Sequence, residues 1–174
     1  MRKQLMFIVV LLAALAAPAQ ETKAPAEMRK LDWMIGEWRG DAMAVTREGR
    51  QLVVQHETIT PDLGGAILVI RGRGYAKKED GSEGALVHDA LGVISWDPDK
   101  KDYRFDPWAK GGRHADTTFV MGDRTFTWSI AVPGGTIRYV MHLTEDGKWH
   151  EAGEFLREGA PAIKTFEMTL TKVK

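Results

Sequence analysis

The 174-residue sequence has no cysteine, which excludes a disulfide framework, thiolate metal ligation and a lipid attached through sulfur. It has no excess of either charge: 24 Lys and Arg stand against 24 Asp and Glu, with the two signs alternating along most segments. A nucleic-acid partner needs a concentrated basic face to displace counterions, so none is expected. The one extended apolar run, Leu5 to Ala17, is shorter than the roughly 20 residues of a spanning helix. A nucleophile elbow, a Walker loop, a His-Glu-x-x-His zinc motif and a dinucleotide glycine fingerprint are all missing. The common phosphate-binding, zinc-peptidase and serine-hydrolase chemistries therefore have no foothold.

What is present begins with a secretory leader. Arg2 and Lys3 precede the apolar run, and Ala17-Pro18-Ala19 supplies small residues for cleavage, so residues 1–19 read as a signal peptide. Its loss removes two basic residues and no acidic one. The exported chain, periplasmic or secreted, then carries 22 basic against 24 acidic residues and has no membrane span. Residues 20–26 are small, polar and Pro-containing and read as a flexible lead, leaving 27–174 as one domain. Met28 to Ile35 reads as a short helix: Leu31, Met34 and Ile35 share a face, and Gly36 is a natural stop.

From Gly36 onward the punctuation is regular. Nine turn signals, from Glu48-Gly49 to Glu158-Gly159-Ala160-Pro161, separate ten strands. Several strands alternate strictly, among them Phe126, Trp128 and Ile130 against Thr125, Thr127 and Ser129. Period 2 gives one dry and one wet face. Ten hairpin-connected strands make the first and last antiparallel, so the sheet can close on itself. The predicted fold is all-β, a single up-and-down antiparallel barrel of about ten strands with a short N-terminal helix as a lid. A sandwich satisfies the same alternation. An outer-membrane barrel inverts the faces, but the second strand, Gln51 to Ile59, and the fifth, Lys101 to Ala109, carry charge on both faces.

The segment Leu31-Asp32-Trp33-Met34-Ile35-Gly36-Glu37-Trp38-Arg39-Gly40 resembles the start of calycin-type (lipocalin and nitrobindin-like) barrels, where Gly-x-Trp on the first strand follows a short helix. Leu91 to Asp97, Tyr103-Arg104-Phe105 and Phe166 to Leu170 look like segments of small bacterial families of that group with no assigned function. The resemblance implies a cup holding a small apolar or amphipathic molecule. It also implies that Trp38 plugs the closed end beneath a basic side chain of the last strand, here Lys172 or Lys174. Nitrobindin-like barrels take an axial His near the C-terminal end. The last strand here has none, so haem would fall to His142 or His150, and no cofactor is expected.

The residues agree with a cup. If Trp38 points inward, so do Gly40, Ala42 and Ala44, which leave space; Gly72 and Gly74 repeat the pattern on the third strand. The alternative is that these glycines relieve strain where strands bend. Arg71 and Arg73 lie opposite them, as an anion clamp if that face is inside or a solvated stripe if it is outside. Glu151 and Glu154 have opposite parity and do not face one substrate. Tyr103, Arg104, Trp108, His114 and Tyr139 are the candidates for ligand binding. His114 and Asp116, at i and i+2, are the candidates for proton handling should the cup house an isomerase or hydrolase. An interaction protein with a filled barrel is the third reading, with Lys78 to Gly84 as its docking loop.

Overall fold

The computed structural model describes residues 24–46 and 48–173; the expected leader lies outside them. The chain opens with two helical turns, α1 (Ala26–Arg29) and a single 3-10 turn, Asp32–Met34. Gly36, at φ 133, follows them and turns the chain into the sheet with a backbone conformation that favours glycine. Eleven strands follow: β1 (Gly36–Thr46), β2 (Gly49–Asp62), β3 (Ile67–Lys77), β4 (Glu83–Asp97), β5 (Asp102–Ala109), β6 (Arg113–His114), β7 (Thr117–Gly122), β8 (Thr125–Val132), β9 (Gly135–Leu143), β10 (Trp149–Leu156) and β11 (Ile163–Lys172).

All belong to one antiparallel sheet in the order β6-β5-β4-β3-β2-β1-β11-β10-β9-β8-β7. The first strand pairs antiparallel with the last, Trp38 opposite Lys172 and Ala44 opposite Phe166, as counting the ten longer strands without the two-residue β6 requires. The sheet's two edges therefore lie in the middle of the chain. Where the sequence suggests one strand after Lys110-Gly111-Gly112, there are two: β6 folds back to pair Arg113 with Ala109 and His114 with Trp108, and the chain breaks at Ala115-Asp116 before β7. β6 pairs only with the last two residues of β5, and β7 is not laddered to the rest of that strand. The curl brings β7 against β5 all the same. Ala115 N–H donates to Pro107 O at 3.2 Å, Thr117 Oγ1 donates to Phe105 O at 2.5 Å, and the Phe105 and Phe119 rings meet at 5.6 Å.

The apolar parity faces inward. At one end, Met28, Leu31 and Met34 of the helical turns join Trp38, Ile59, Leu68, Ile94 and Leu170, all at most 2% exposed. Trp38 is the plug. Its Nε1 donates to Met34 O at 2.8 Å, its ring meets Trp149 edge-on at 5.8 Å, and Lys172 Nζ lies 5.3 Å from its centroid, so the basic cover comes from Lys172. Tyr103 OH donates to Glu27 O at 2.8 Å and fastens α1 to β5. The outer face carries ion pairs instead, including Arg71 with Asp89 at 2.6 Å, Lys77 with Asp41 at 2.6 Å and Arg138 with Glu154 at 3.0 Å. Arg71 thus belongs to a solvated stripe.

Candidate functional site

Above the plug, the inward side chains become small and a cavity of about 500 Å³ opens. Ala42 and Ala44 of β1, Gly72 of β3 and Ala90 and Gly92 of β4 form its thin walls, while Phe105, Phe126, Trp128, Tyr139, Trp149 and Phe166 form aromatic ones. Thr46, Gln51, Val87 and Arg113 also line it. They sit by the hairpin turns at the end of the barrel away from α1, and so mark the mouth. The rings touch in sequence: Trp149 meets Phe126 at 5.8 Å, Phe105 meets Trp128 at 5.4 Å, and Trp128 stacks on Tyr139 at 4.0 Å with 9° between planes. Offset and edge contacts of this kind hold aromatic walls rigid.

Not all the inward glycines leave empty space. A Cβ on Gly40 would lie 2.0 Å from Thr169 O, so this glycine permits close approach of β1 and β11. A Cβ on Gly72 would lie 2.9 Å from Glu57 Oε1, and one on Gly74 would lie 2.6 Å from Gln55 Oε1. The third-strand glycines hold the room that two polar side chains of β2 occupy. Both readings of glycine in the sequence therefore apply, at different positions.

Those polar side chains are the chemical content of the cavity. Gln55, Glu57 and Glu151 are 4%, 8% and 6% exposed, and all three line the cavity. Gln55 Nε2 donates to Glu57 Oε1 at 2.7 Å. Trp128 Nε1 donates to Glu151 Oε1 at 3.0 Å, and Trp149 Nε1 donates to Glu151 Oε2 at 3.1 Å. Burial pushes the Glu57 carboxyl up to about 8, and the charge of Glu151 adds to the rise against the Gln55 hydrogen bond. Burial also raises Glu151, while the two indole donors pull it back. The Tyr139 phenol is pushed up to about 12, by burial first and by Glu151 second. Burial thus raises both carboxyls above the ordinary carboxylate value, Glu57 to about 8.

The residues singled out in the sequence are spread over the barrel. Tyr139 lines this cavity. Trp108 borders it, and its ring lies against His114 at 5.0 Å. His114 is exposed and sits 3.6 Å from Asp106; its neighbour is Asp106 rather than Asp116, which is exposed. Arg104 is on the outer face, 3.8 Å from Asp106. Tyr103 is at the opposite end, against α1, where it lines a second, surface groove with Trp33 and Trp96. His142 and His150 are cross-strand neighbours with rings 4.9 Å apart, on the parity opposite Met141 and Glu151 and so outside the cup.

Gln55, Glu57 and the role of Glu151 are missing from the sequence reading. A signal existed: Gln55 and Glu57 share parity with Val53 and Ile59, and Glu151 shares it with Trp149. A charged residue on the dry parity of a strand marks either a strand assigned to the wrong face or a polar group inside a cavity.

An eleven-stranded antiparallel sheet curled round a cavity and plugged by a Gly-x-Trp tryptophan defines a calycin-like β-barrel. The solved structure of Rv2717c from M. tuberculosis is similar over 87% of this chain and 100% of that one, with a TM-score of 0.62 and 10% identity. An S-type phycobiliprotein lyase, CPES from Guillardia theta, is similar over 88% of this chain and 96% of that one, with a TM-score of 0.56 and 11% identity. No family model and no curated protein matches the sequence.

Proposed function

We propose that the chain is an exported binding protein of the lipocalin and nitrobindin type, working in the periplasm or outside the cell. It would hold a small apolar or amphipathic molecule without covalent attachment. The cavity of about 500 Å³ with its wall of seven aromatic side chains carries this reading. Affinity would come from removing ligand surface from water, at roughly 25 cal/mol per Å² of apolar area, and Gln55, Glu57, Tyr139 and Glu151 would orient the ligand's polar end.

Native mass spectrometry of the protein purified from its own host tests the proposal, with a retained small molecule as the expected result. N-phenyl-1-naphthylamine provides a second arm as a neutral fluorescent probe. It should bind with quenching of tryptophan emission, and Ala44→Phe, which fills the cavity, should abolish binding without unfolding the barrel. No retained molecule together with probe binding unchanged by Ala44→Phe would refute it.

An enzymatic reading in the same cup is favoured by one observation, the coupled carboxyls Glu57 and Glu151. A carboxyl titrating near 8 is protonated at neutral pH and could serve as a general acid. Turnover of any molecule recovered from the cavity, lost in Glu57→Gln, would support it.

A further inference from the structure

The cavity holds two carboxyls, and among the described residues no cation is paired with either. Among the described residues, no Lys or Arg pairs with Glu57 or Glu151, although twelve ion pairs decorate the protein elsewhere. The hydrogen bonds the two acids do accept come from uncharged donors: the Gln55 amide and the Trp128 and Trp149 indoles. Glu57 Oε2 and the Tyr139 hydroxyl accept or donate no hydrogen bond among the described residues, and both side chains line the cavity. Two lining residues carry basic groups, Arg113 and His88. Arg113 and His88 are exposed residues, and the partial burial of the His88 ring draws its pKa below the ordinary value, which disfavours the charged form.

A buried acid without a charged partner is costly, and a fold that needed only a filled core would do better with an apolar side chain there. Gly72 and Gly74 bring a second cost, since each gives up a side chain in β3 to leave room for the β2 pair. The surroundings also have a sign. Trp128, Tyr139, Trp149, Phe126 and Phe166 line the same cavity as the acids, and the negative face of an aromatic ring attracts cations. Carboxyls within an aromatic wall form a receptor for a positively charged nitrogen.

Resting on the proposal that the cup binds a small ligand, we infer that its ligand is an amine: an apolar body with one protonatable nitrogen seated between Glu57 and Glu151. The proton balance is simple. A ligand entering as the free amine takes the Glu57 carboxyl proton and becomes an ammonium ion facing a carboxylate. A ligand entering as the ammonium ion displaces that proton to solvent. In either case one N–H bond of the bound ammonium faces the Glu57 carboxylate beside the oxygen that accepts from Gln55.

A series with one tail and three head groups tests the inference: 4-phenylbutylamine, 4-phenylbutanol and 4-phenylbutyrate, titrated calorimetrically into the full exported chain at pH 7. The amine should bind about tenfold or more tighter than the alcohol, and the carboxylate should bind weakest. Repeating the amine titration in buffers of different ionisation enthalpy should show release of close to one proton per ligand. In Glu57→Gln the amine's advantage over the alcohol should shrink to about twofold or less, and the alcohol should bind as before. If that variant does not fold, the head-group order and the proton count of the unmodified protein decide the matter alone. Equal binding of amine and alcohol, or preference for the carboxylate, would overturn the amine assignment and leave the cavity reading standing. Failure of all three to bind, with nothing retained from the host, would overturn both.

Discussion

The two halves of the barrel are made by the same strands and obey opposite rules. Near α1 the inward positions are Trp38, Ile59, Leu68, Ile94 and Leu170, closed off by Met28 and Leu31. One or two inward steps further along, they are Gly40 and Ala42 on β1, Gln55 and Glu57 on β2, and Gly72 on β3. Glu57 is the cross-strand partner of Trp38 itself, so the change from packed core to polar cavity happens within one residue pair. The plug half supplies cohesion. The hollow half gives up packing and buries acids, and that pattern fits a surface kept for something other than stability. Alternation sets the inward direction of every strand, and residue size and charge then decide whether inward means core or cavity.

The largest difference between the halves should appear on truncating an aromatic in each. Trp38→Ala removes a 2%-exposed side chain, its hydrogen bond to Met34 O and its contact with Trp149. It should cost about 3–5 kcal/mol. Trp108→Ala, at the cavity border, should cost below about 1 kcal/mol. Urea unfolding of both variants measures the gap, and equal losses would abolish the distinction between plug and cup.

The second difference is in proton linkage through buried carboxyls, which the cup holds in Glu57 and Glu151. The folded state raises Glu57 to about 8 from an ordinary value near 4.5. Below about pH 4.5 both folded and unfolded chains hold the proton, and the contribution is fully present. Between there and about pH 8 the unfolded chain has released a proton that the folded one keeps, so stability falls as pH rises, by on the order of 1 kcal/mol per unit. Glu151 is shifted the same way and adds to the slope. Glu57→Gln should therefore flatten the decline of stability between pH 5 and pH 8 without erasing it, as thermal melts across that range would show. A stability that rises with pH through this window would mean the acids are ionised in the empty cup.

Glycine separates the halves on a finer scale. Gly40→Ala drives a methyl into the backbone oxygen of Thr169 and requires β1 and β11 to part, which should cost about 3 kcal/mol. Gly72→Ala meets only the Glu57 carboxyl, the far end of a flexible side chain, and should cost about 1 kcal/mol. Its larger effect should be on the probe: displacing Glu57 into the cavity should weaken N-phenyl-1-naphthylamine binding. If the two substitutions cost the same, the distinction between close strand approach and reserved space fails.

Most of the fold can be read from the residues. Gly36-Glu37-Trp38 with its short helical lead, the strict alternation of Phe126, Trp128 and Ile130, and the turn dipeptides specify a hairpin-built barrel and its inward face. The seam between β5 and β7 cannot be read this way. There β6 folds back onto β5, a choice of partner that a Gly-Gly turn allows and does not dictate. The acids were hidden for another reason: treating Glu as wet by default discards the cases where parity says otherwise. Glu57, between the dry positions Gln55 and Ile59, could have been found by parity. Its pairing with Gln55 and its nearness to Glu151 needed three dimensions, because β2 and β10 are separated by two intervening strands.

The smallest predicted effect tests how far the plug extends. Lys172, on the last strand, holds its ammonium 5.3 Å from the Trp38 ring centroid, opposite Trp38 in the β1–β11 register. Lys172 itself is exposed, so the contact is solvated and should contribute about 0.5 kcal/mol. Lys172→Gln should lower stability by that amount, and the loss should vanish in a Trp38→Phe background if the attraction is to the indole. Lys172→Arg should preserve it. A double-mutant cycle in urea resolves a coupling of this size only if the single variants stay two-state. A coupling of zero would make Lys172 a bystander and leave Trp38 held by Met34 and Trp149 alone.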